Sequence, residues 1–405
     1  MRPQKEPVEI DSTRGLLHND EDFSLALGGP LYQLYLRTHL STPPLGLLRR
    51  RVLSFSLFCW LPLLILSLAE GHFLSGVPVP FLLDVEVHAR FLVALPLLIM
   101  AELIVHQRIA VVVRQFLERH IIAPEDRPRF AEIIASTKRL RNSVLLEMVL
   151  LVLCFTVFQW VWKEHIAFRI ATWYDLSPGG AHRLTAAGYW YEFVSLPLLR
   201  FFLFRWYFRL FLWYRFLWRV RALPLQLNLF HPDRVGGLGF LTASIVAFSP
   251  VLLAHTTFLA GLIGDRIWHG GVTLLTFKMQ ILGALVLLLL LVLAPLCFFV
   301  VHLEEAGRKA AREFGVLSSH YVDGFRQKWI LHGAGETGPV LGTPDLQSLA
   351  DLGNSFKTVA DIGLFPFSKD EVIRLVGLLI LPLMPLTLTI VSPKQIIDLL
   401  LKLAF

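Results

Sequence analysis

The sequence predicts an all-α membrane protein, a polytopic transmembrane helical bundle of about seven spans with cytoplasmic helical extensions. Three observations lead to this prediction. The composition is more apolar than that of a soluble domain, seven stretches are long enough to cross a bilayer, and the basic residues alternate between successive connections.

The composition excludes one or two large soluble cores. Of the 405 residues, 55% are hydrophobic and 17% are charged, whereas a soluble domain is about 45–50% apolar and about 25% charged. Cys59, Cys154 and Cys297 stand in apolar stretches without the spacing of a metal site or disulfide framework, so we interpret them as small buried side chains. The basic residues behind the net charge of +7 are distributed as expected for membrane topology and not as a nucleic-acid-binding surface. We therefore predict no nucleic-acid partner, and we predict no cofactor.

The spans are predicted from length and hydropathy. A hydrocarbon core about 30 Å thick needs roughly 20 apolar residues in a helix. The seven predicted spans are about 52–69, 91–113, 143–162, 190–210, 239–263, 274–303 and 372–392.

The orientation is predicted from the basic residues. Alternate connections carry 26 Lys and Arg on one side and 7 on the other. Because positive residues stay cytoplasmic, we expect the N-terminus inside, the C-terminus outside, and Arg49, Arg50 and Arg51 to anchor the first span. The first 50 residues are polar and the first apolar run lacks a small-residue cleavage site, so no cleavable signal peptide is expected.

The chain divides into four parts. Residues 1–51 form a cytoplasmic segment with a short interfacial helix, and 52–303 form a six-span region. Residues 304–371 form a cytoplasmic helical segment, and 372–405 contain the seventh span and an amphipathic tail.

Local signals define several helix ends. Pro30 is expected in the first turn of the interfacial helix. The connection 114–142 is expected to be helical and to continue into the third span. A glycine-rich break at 333–343 precedes a helix that starts at Pro344, and Ser368 opens a capping box before the last span.

Four stretches resemble a known group of proteins. They are LALGGPLYQLYLR, FLLDVEVHARFLVALPLLIMAELIVHQR, LFHPDRVGGLGFL and FPFSKDEVIRLVGLLILPLMPL. They resemble uncharacterised polytopic proteins of bacterial inner membranes, and the resemblance covers nearly the whole chain. It implies a location in the inner membrane and no activity.

The fourth span contains an unusual number of arginines. Residues 190–221 are nearly all apolar or aromatic, yet include six arginines. At 100° per residue, four of these arginines occupy one arc of about 120°. We expect the last four to reach the cytoplasmic interface, where long side chains extend to the headgroups. These interfacial residues are Arg209, Arg215, Arg219 and Arg221.

A buried polar core is predicted within the spans. Arg200 falls near the middle of its span, and Glu102 is expected at a similar depth as its partner. His106 follows Glu102 on the same helix face. The predicted core consists of Glu102, His106, Glu147, Arg200 and Arg205.

Several interpretations of this core stay open. Glu147 is expected nearer the inner side, where it would pair with Arg205 or Arg209. The core would be a structural ion pair or part of a proton or anion path. Glu102 and His106 alone are too few ligands to indicate a metal site.

The motif HPDRVGGLG at 231–239 predicts a tight cytoplasmic turn. Pro232 enforces the turn, Asp233 is placed to cap the following span, and the glycines permit close backbone approach. Gating or ligand contact is the alternative. The turn residues are His231, Pro232, Asp233, Gly236 and Gly237.

The remaining polar motifs favour structural interpretations. Pro382 and Pro385 are expected to kink the last span, which would suit a subunit contact, a pore wall or an anchor. His302, Glu305 and His320 are either a solvated helix face or a metal or pH-sensing site, and GAGETG at 333–338 lacks the strand that a nucleotide-binding loop requires.

Two functions follow from these observations. The first is an oligomeric channel or transporter for an ion or small anion. The alternative is a non-transporting scaffold or sensor that recruits partners through its cytoplasmic helices, with the bilayer and anionic lipids on its basic inner face. An enzyme is the third choice, because the sequence lacks the zinc-protease, Walker and nucleophile-elbow motifs.

Overall fold

A computed structural model gives the architecture. It describes residues 23–40, 42, 45–156, 171–177, 183–228, 230–331, 344–360 and 363–389. Within these ranges the chain forms eleven helices and no β-strand. The helices are α1 (Pro30–Arg37), α2 (Leu48–Ala69), α3 (Val85–Glu118), α4 (Arg127–Arg141), α5 (Val144–Phe155), α6 (186–220), α7 (Leu238–Gly270), α8 (Leu274–Leu293), α9 (Val300–Arg326), α10 (Pro344–Ala360) and α11 (Lys369–Ile380).

The centre of the bundle is formed by α3, α6 and α7. We call the end at which α6 begins the upper end and the end at which it finishes the lower end. Trp206 Nε1 donates to Leu98 O across 2.9 Å, and Arg90 donates to Tyr191 higher up, so α3 and α6 run in parallel. Asp265 near the end of α7 accepts from the first amide of α3, so α7 runs in the opposite direction.

Small residues bring α3 and α7 into close contact. A Cβ atom added at Gly261 would lie 2.9 Å from Ala89 Cβ and 3.0 Å from Glu86 Cα. Atoms of Glu86 and Ala89 on α3 therefore occupy the space that a side chain at Gly261 of α7 would need. The two helices make the most extensive contact among the described elements.

Four helices are long and apolar enough to cross a membrane: α2, α3, α7 and α8. The predicted count of about seven is not confirmed among the described residues. Helix α5 is described for only 12 residues, the arginines of α6 lower its hydropathy, and α11 changes at Leu381–Leu383 into a short 3₁₀ turn.

Helices α3 and α6 share an irregularity near their upper ends. Each contains a π-helical stretch, at Ala89–Ala94 and Tyr191–Ser195, and each stretch is followed directly by a Leu-Pro pair. Pro96 and Pro197 have no backbone N–H to give to the preceding turn. Widening of that turn into a π-helix is a common local response to such an interruption.

Several predicted helix ends are confirmed. Pro30 occupies the first turn of α1, α10 begins at Pro344, and Ser368 forms the predicted capping box with Glu371. The expected kink near Pro382 coincides with the 3₁₀ turn at the end of α11, and the single helical turn Met384–Thr387 that continues it contains Pro385. The predicted tail after residue 393 and the glycine-rich break at 333–343 lie outside the described residues.

Two predicted continuous helices are interrupted. The connection before α5 does not continue into it, because Ser143 caps a new helix with its hydroxyl accepting from Leu146 N. The predicted span 274–303 is divided at residues 294 and 295, after which Leu296–Phe299 forms a 3₁₀ turn.

The lower half of α6 packs into an aromatic core. The Phe216 ring contacts Phe116 of α3 and Phe130 of α4, and Phe116 in turn contacts Phe240 of α7 with the ring centroids 4.9 Å apart. Aromatic rings in the lower half of the arginine-rich helix therefore pack against α3 and α4.

Candidate functional site

Glu102 on α3 is the centre of a buried ion cluster. Its carboxylate lies 3.1 Å from Arg51 Nη1, 3.2 Å from Arg205 Nη1 and 2.9 Å from Arg209 Nη2. Glu102 is 1% exposed, and the arginines are almost as deeply buried. One carboxylate therefore joins α2, α3 and α6 through three charge-assisted hydrogen bonds.

A second carboxylate extends the cluster to α5 and the N-terminal segment. Glu147 Oε1 lies 3.0 Å from Arg205 Nε, and Glu147 Oε2 accepts from the backbone of Leu31 across 3.4 Å. Arg209 also donates to Ala26 O, and Arg51 to Leu45 O. We call Arg51, Glu102, Glu147, Arg205 and Arg209 the ion cluster.

The ion cluster lies level with the lower ends of two helices. Arg51 is the fourth residue of α2, and Glu147 is the fourth residue of α5. Glu102 is near the middle of the 34-residue helix α3 and lies level with the starts of these two helices. Its depth within a bilayer stays a prediction.

The ion cluster contains three guanidinium groups and two carboxylates. A small cavity of about 20 Å³ beside it is lined by polar groups that include Arg141, Arg205, Arg209 and Glu147. A cavity of this size accommodates about one water molecule. The geometry is that of a tightly paired structural ion cluster beside a cavity the size of one water molecule.

The predicted pair of Glu102 with Arg200 is wrong. Arg200 lies higher on α6, with Tyr191 and Glu192 among its electrostatic neighbours. It precedes Arg205 by five residues, which is about 140° of rotation, so the two arginines face different neighbours. His106 is 9% exposed and lies one turn below Glu102.

The interfacial interpretation of Arg209 is also wrong, because Arg209 is 4% exposed and belongs to the ion cluster. Arg215 and Arg219 both donate to Ser136 Oγ on α4, at 2.8 Å and 3.1 Å. Arg221 stacks over the Trp218 ring at 3.9 Å. The basic stripe of α6 thus faces protein along most of its length.

A second polar cluster near the upper end was not anticipated from the sequence. Arg90 donates to both Glu86 and Tyr191. Asp265 accepts from the amides of Val85 and Glu86, at 2.8 Å and 2.9 Å, and so caps the start of α3. The sequence does not reveal a buried carboxylate that accepts from backbone amides, because every residue except proline carries such an amide and no particular side chain marks the partner.

The Asp84 carboxylate completes this upper cluster. It accepts from Val87 N within its own helix start and from Trp173 Nε1 across 2.8 Å. Trp173 is fully buried. The stretch 171–177, which contains Trp173, is therefore fixed to the upper end of the bundle by a side chain that also acts as a helix cap.

The HPDRVGGLG motif forms the predicted turn around Asp233. The Asp233 carboxylate accepts from the amides of Val235, Gly237 and Gly239, at 3.0, 3.1 and 2.9 Å. Burial alone would raise the pKa of Asp233, but these three amides outweigh burial and hold the pKa below its ordinary value. Gly237 has φ of 92°, a conformation that favours glycine.

The other turn residues support the same loop. His231 Nδ1 lies 3.0 Å from Asp233 Oδ1, and Pro232 separates the two. Arg119 at the end of α3 donates to Gly237 O across 3.1 Å. Gly236 has φ of 66° and packs against Leu227. Gly237 occupies the N-cap position of the 3₁₀ turn that starts α7, and the Asp233 carboxylate accepts from Gly239 N within that turn.

The described residues include no group of three or more His, Cys, Asp or Glu side chains that could hold a metal ion. His302, Glu305 and His320 lie along α9, which is largely solvent-facing at these positions. His255 Nε2 lies 2.6 Å from Tyr207 Oη, a contact between helices α7 and α6.

In comparison with known proteins, no protein family, no curated protein and no solved structure matches the chain.

Proposed function

We propose that the protein is a membrane-embedded scaffold that presents helices α9 and α10 to a partner, and that its ion cluster is structural. The burial of Glu102 among three arginines carries this proposal. A transport path would require polar groups that a solute can reach, whereas the Glu102 carboxylate is 1% exposed.

The geometry of α9 supports the same proposal. Its first half is fixed to the bundle by buried Leu303, and Phe314 lies between Phe230 and Phe356 of α10. Its second half exposes Val316 and other apolar residues to the surroundings. With 27 residues at 1.5 Å each, α9 is about 40 Å long and offers an extended surface.

We further propose the seven-span arrangement in the inner membrane, with the N-terminus inside. The basic connections support this orientation, because Arg119, Arg139 and Arg308 all belong to the side with more Lys and Arg. In this arrangement α9, α10 and the HPDRVGGLG turn lie on the cytoplasmic side. The lower end then faces anionic lipid headgroups.

The scaffold proposal is tested by site-specific photo-crosslinking in intact cells. A photoreactive residue at Leu317, which is exposed on α9, is expected to give one discrete protein adduct. The same residue at Leu57, which is exposed on α2, is expected to give lipid adducts only. Loss of the adduct on Val316→Glu would support the surface assignment, and equal protein adducts at both positions would contradict it.

Passage of a small anion, by an oligomer of this chain, is the second candidate. The excess of one guanidinium in the ion cluster, together with the adjoining cavity, favours it. Flux through purified protein in liposomes under an imposed gradient tests it. Chloride or proton flux in wild type that is lost in a folded Arg205→Gln variant would support transport, and no flux across a panel of ions would favour the scaffold.

A further inference from the structure

A cleft near the lower end separates the end of α3 from the start of α7 and from α11. It consists of two connected chambers of about 340 and 670 Å³. Both chambers are lined by Arg119, Phe240, Thr242 and Glu371, so they form one continuous space. We call it the lower cleft.

One chamber of the lower cleft is apolar. Its walls include Ile245 and Val246 of α7 together with Leu375 and Leu378 of α11. Val246, in the wall of this chamber, is 49% exposed. An exposed apolar side chain at this position suits contact with hydrocarbon in the proposed membrane arrangement.

The other side of the lower cleft carries two arginines with unused donors. Arg119 donates its Nη1 to Gly237 O, and the same nitrogen lies 3.8 Å from Asp233 Oδ2. The guanidinium stacks over Phe240 at 5.2 Å. Its remaining guanidinium nitrogens make no hydrogen bond to any residue that the structure describes. Arg374 is exposed, and within the described part of the chain it makes no ion pair.

The carboxylates of the lower cleft are already engaged. Asp233 accepts from three backbone amides of its own turn, and Glu371 accepts from Ser368 N in the capping box. Gln115 Oε1, in contrast, is buried in the wall of the cleft without a hydrogen-bond partner among the described residues. The cleft therefore offers two cationic donors and one unsatisfied acceptor beside an apolar channel.

We propose that the lower cleft binds one anionic phospholipid. The arginines Arg119 and Arg374 hold the phosphate, because guanidinium groups match phosphate oxygens in geometry and charge. An acyl chain lies along Ile245 and Leu378, and a headgroup hydroxyl donates to Gln115 Oε1. This inference is independent of whether the protein recruits partners or transports an ion.

Phosphatidylglycerol is the probe that tests the proposal, because its headgroup carries both a phosphate and hydroxyl donors. Delipidated full-length protein in detergent is titrated with phosphatidylglycerol, phosphatidylcholine and soluble glycerol phosphate, and binding is followed by native mass spectrometry. Loss of a charge-assisted phosphate contact in Arg374→Gln is expected to weaken phosphatidylglycerol binding about tenfold. Arg312→Gln, an exposed arginine on α9, is the matched control and is expected to bind as wild type.

A second variant separates the acyl-chain contact from charge. Val246→Trp fills the apolar chamber from a half-exposed position, so the bundle is expected to fold while phosphatidylglycerol binding falls. Equal binding by Arg374→Gln and Arg312→Gln would overturn the proposal. So would equal affinity for phosphatidylcholine, or glycerol phosphate binding as tightly as the lipid, since that result would assign the site to a free phosphate compound.

Discussion

Arg51 donates to Glu102 across 3.1 Å, and both side chains are almost completely buried. The contact joins the start of α2 to the middle of α3. Two further arginines reach the same carboxylate from α6, so the position of three helices depends on one acidic side chain. Such a cluster is sensitive to the loss of its centre because the remaining charges stay buried.

Replacement of the central carboxylate is therefore expected to be severe. Glu102→Gln leaves three buried arginines with one fewer counter-charge, and we expect a loss of about 3–5 kcal/mol in the free energy of unfolding. The measurement is thermal unfolding of the purified protein in detergent. Glu118→Gln, an exposed glutamate on the same helix, is the matched control, and equal melting temperatures for the two variants would show that the ion cluster is not structural.

Replacement of one arginine is expected to be milder. In Arg51→Met, Glu102 keeps Arg205 and Arg209, while Leu45 O loses its buried donor, so we expect a loss of about 1–3 kcal/mol. The exposed neighbour Arg49→Met is expected to unfold as wild type. The order of melting temperatures among these variants and Glu102→Gln is the test, and an Arg51→Met protein as stable as Arg49→Met would contradict the observed pairing.

The arginine pattern shows what helical periodicity can and cannot predict. Spacing correctly placed Arg205 and Arg209 on one face, because every residue adds 100° of rotation. Spacing could not give the relative position of α3 and α6 along their axes. That position determines which arginines contact Glu102. It depends on contacts such as Trp206 with Leu98 O, between residues far apart in the chain.

The role of Arg51 was hidden for a different reason. A run of three arginines before an apolar stretch is the usual sign of membrane orientation. The sequence alone does not distinguish which of the three arginines is buried. The structure shows that the third one faces inward, where Glu102 and Leu45 O accept from it. The Asp233 turn, by comparison, is predictable because Pro, Asp and Gly at fixed spacing determine local backbone geometry.

The close approach of α3 and α7 gives a steric prediction. Gly261→Ala places a methyl group 2.9 Å from Ala89 Cβ and against the backbone of Glu86, so the helices must separate, at a loss of about 1–3 kcal/mol. Gly283→Ala is the control, since nothing lies within 4 Å of its added Cβ. Gly261→Ala is expected to have a lower melting temperature than Gly283→Ala. Equal melting temperatures would mean that α3 and α7 accommodate the added methyl group without strain.

The Asp233 turn gives a prediction about pH. Its folded-state pKa is below the ordinary value, so its stabilisation is present at neutral pH and is lost as the pH falls through the folded-state pKa. Asp233→Asn removes one acceptor for the three amides, and we expect a loss of about 1 kcal/mol at pH 7 after solvent screening. The difference from wild type should shrink below about pH 4. A difference that grows on acidification would contradict this assignment, and Asp323→Asn on α9 serves as the exposed control.

The π-helical stretches of α3 and α6 each take up one residue more than an ordinary turn. Removal of one residue from Ala89–Ala94 would therefore leave a regular α-helical turn and keep Glu102 facing its arginines. Removal of one residue from the regular helix between Ala94 and Glu102 would instead turn Glu102 by about 100° relative to the residues above it. The same reasoning holds for Tyr191–Ser195 and for Arg205 and Arg209 below it. Each π-turn thus accommodates an extra residue two to three helical turns above the ion cluster without disturbing the charge pairing.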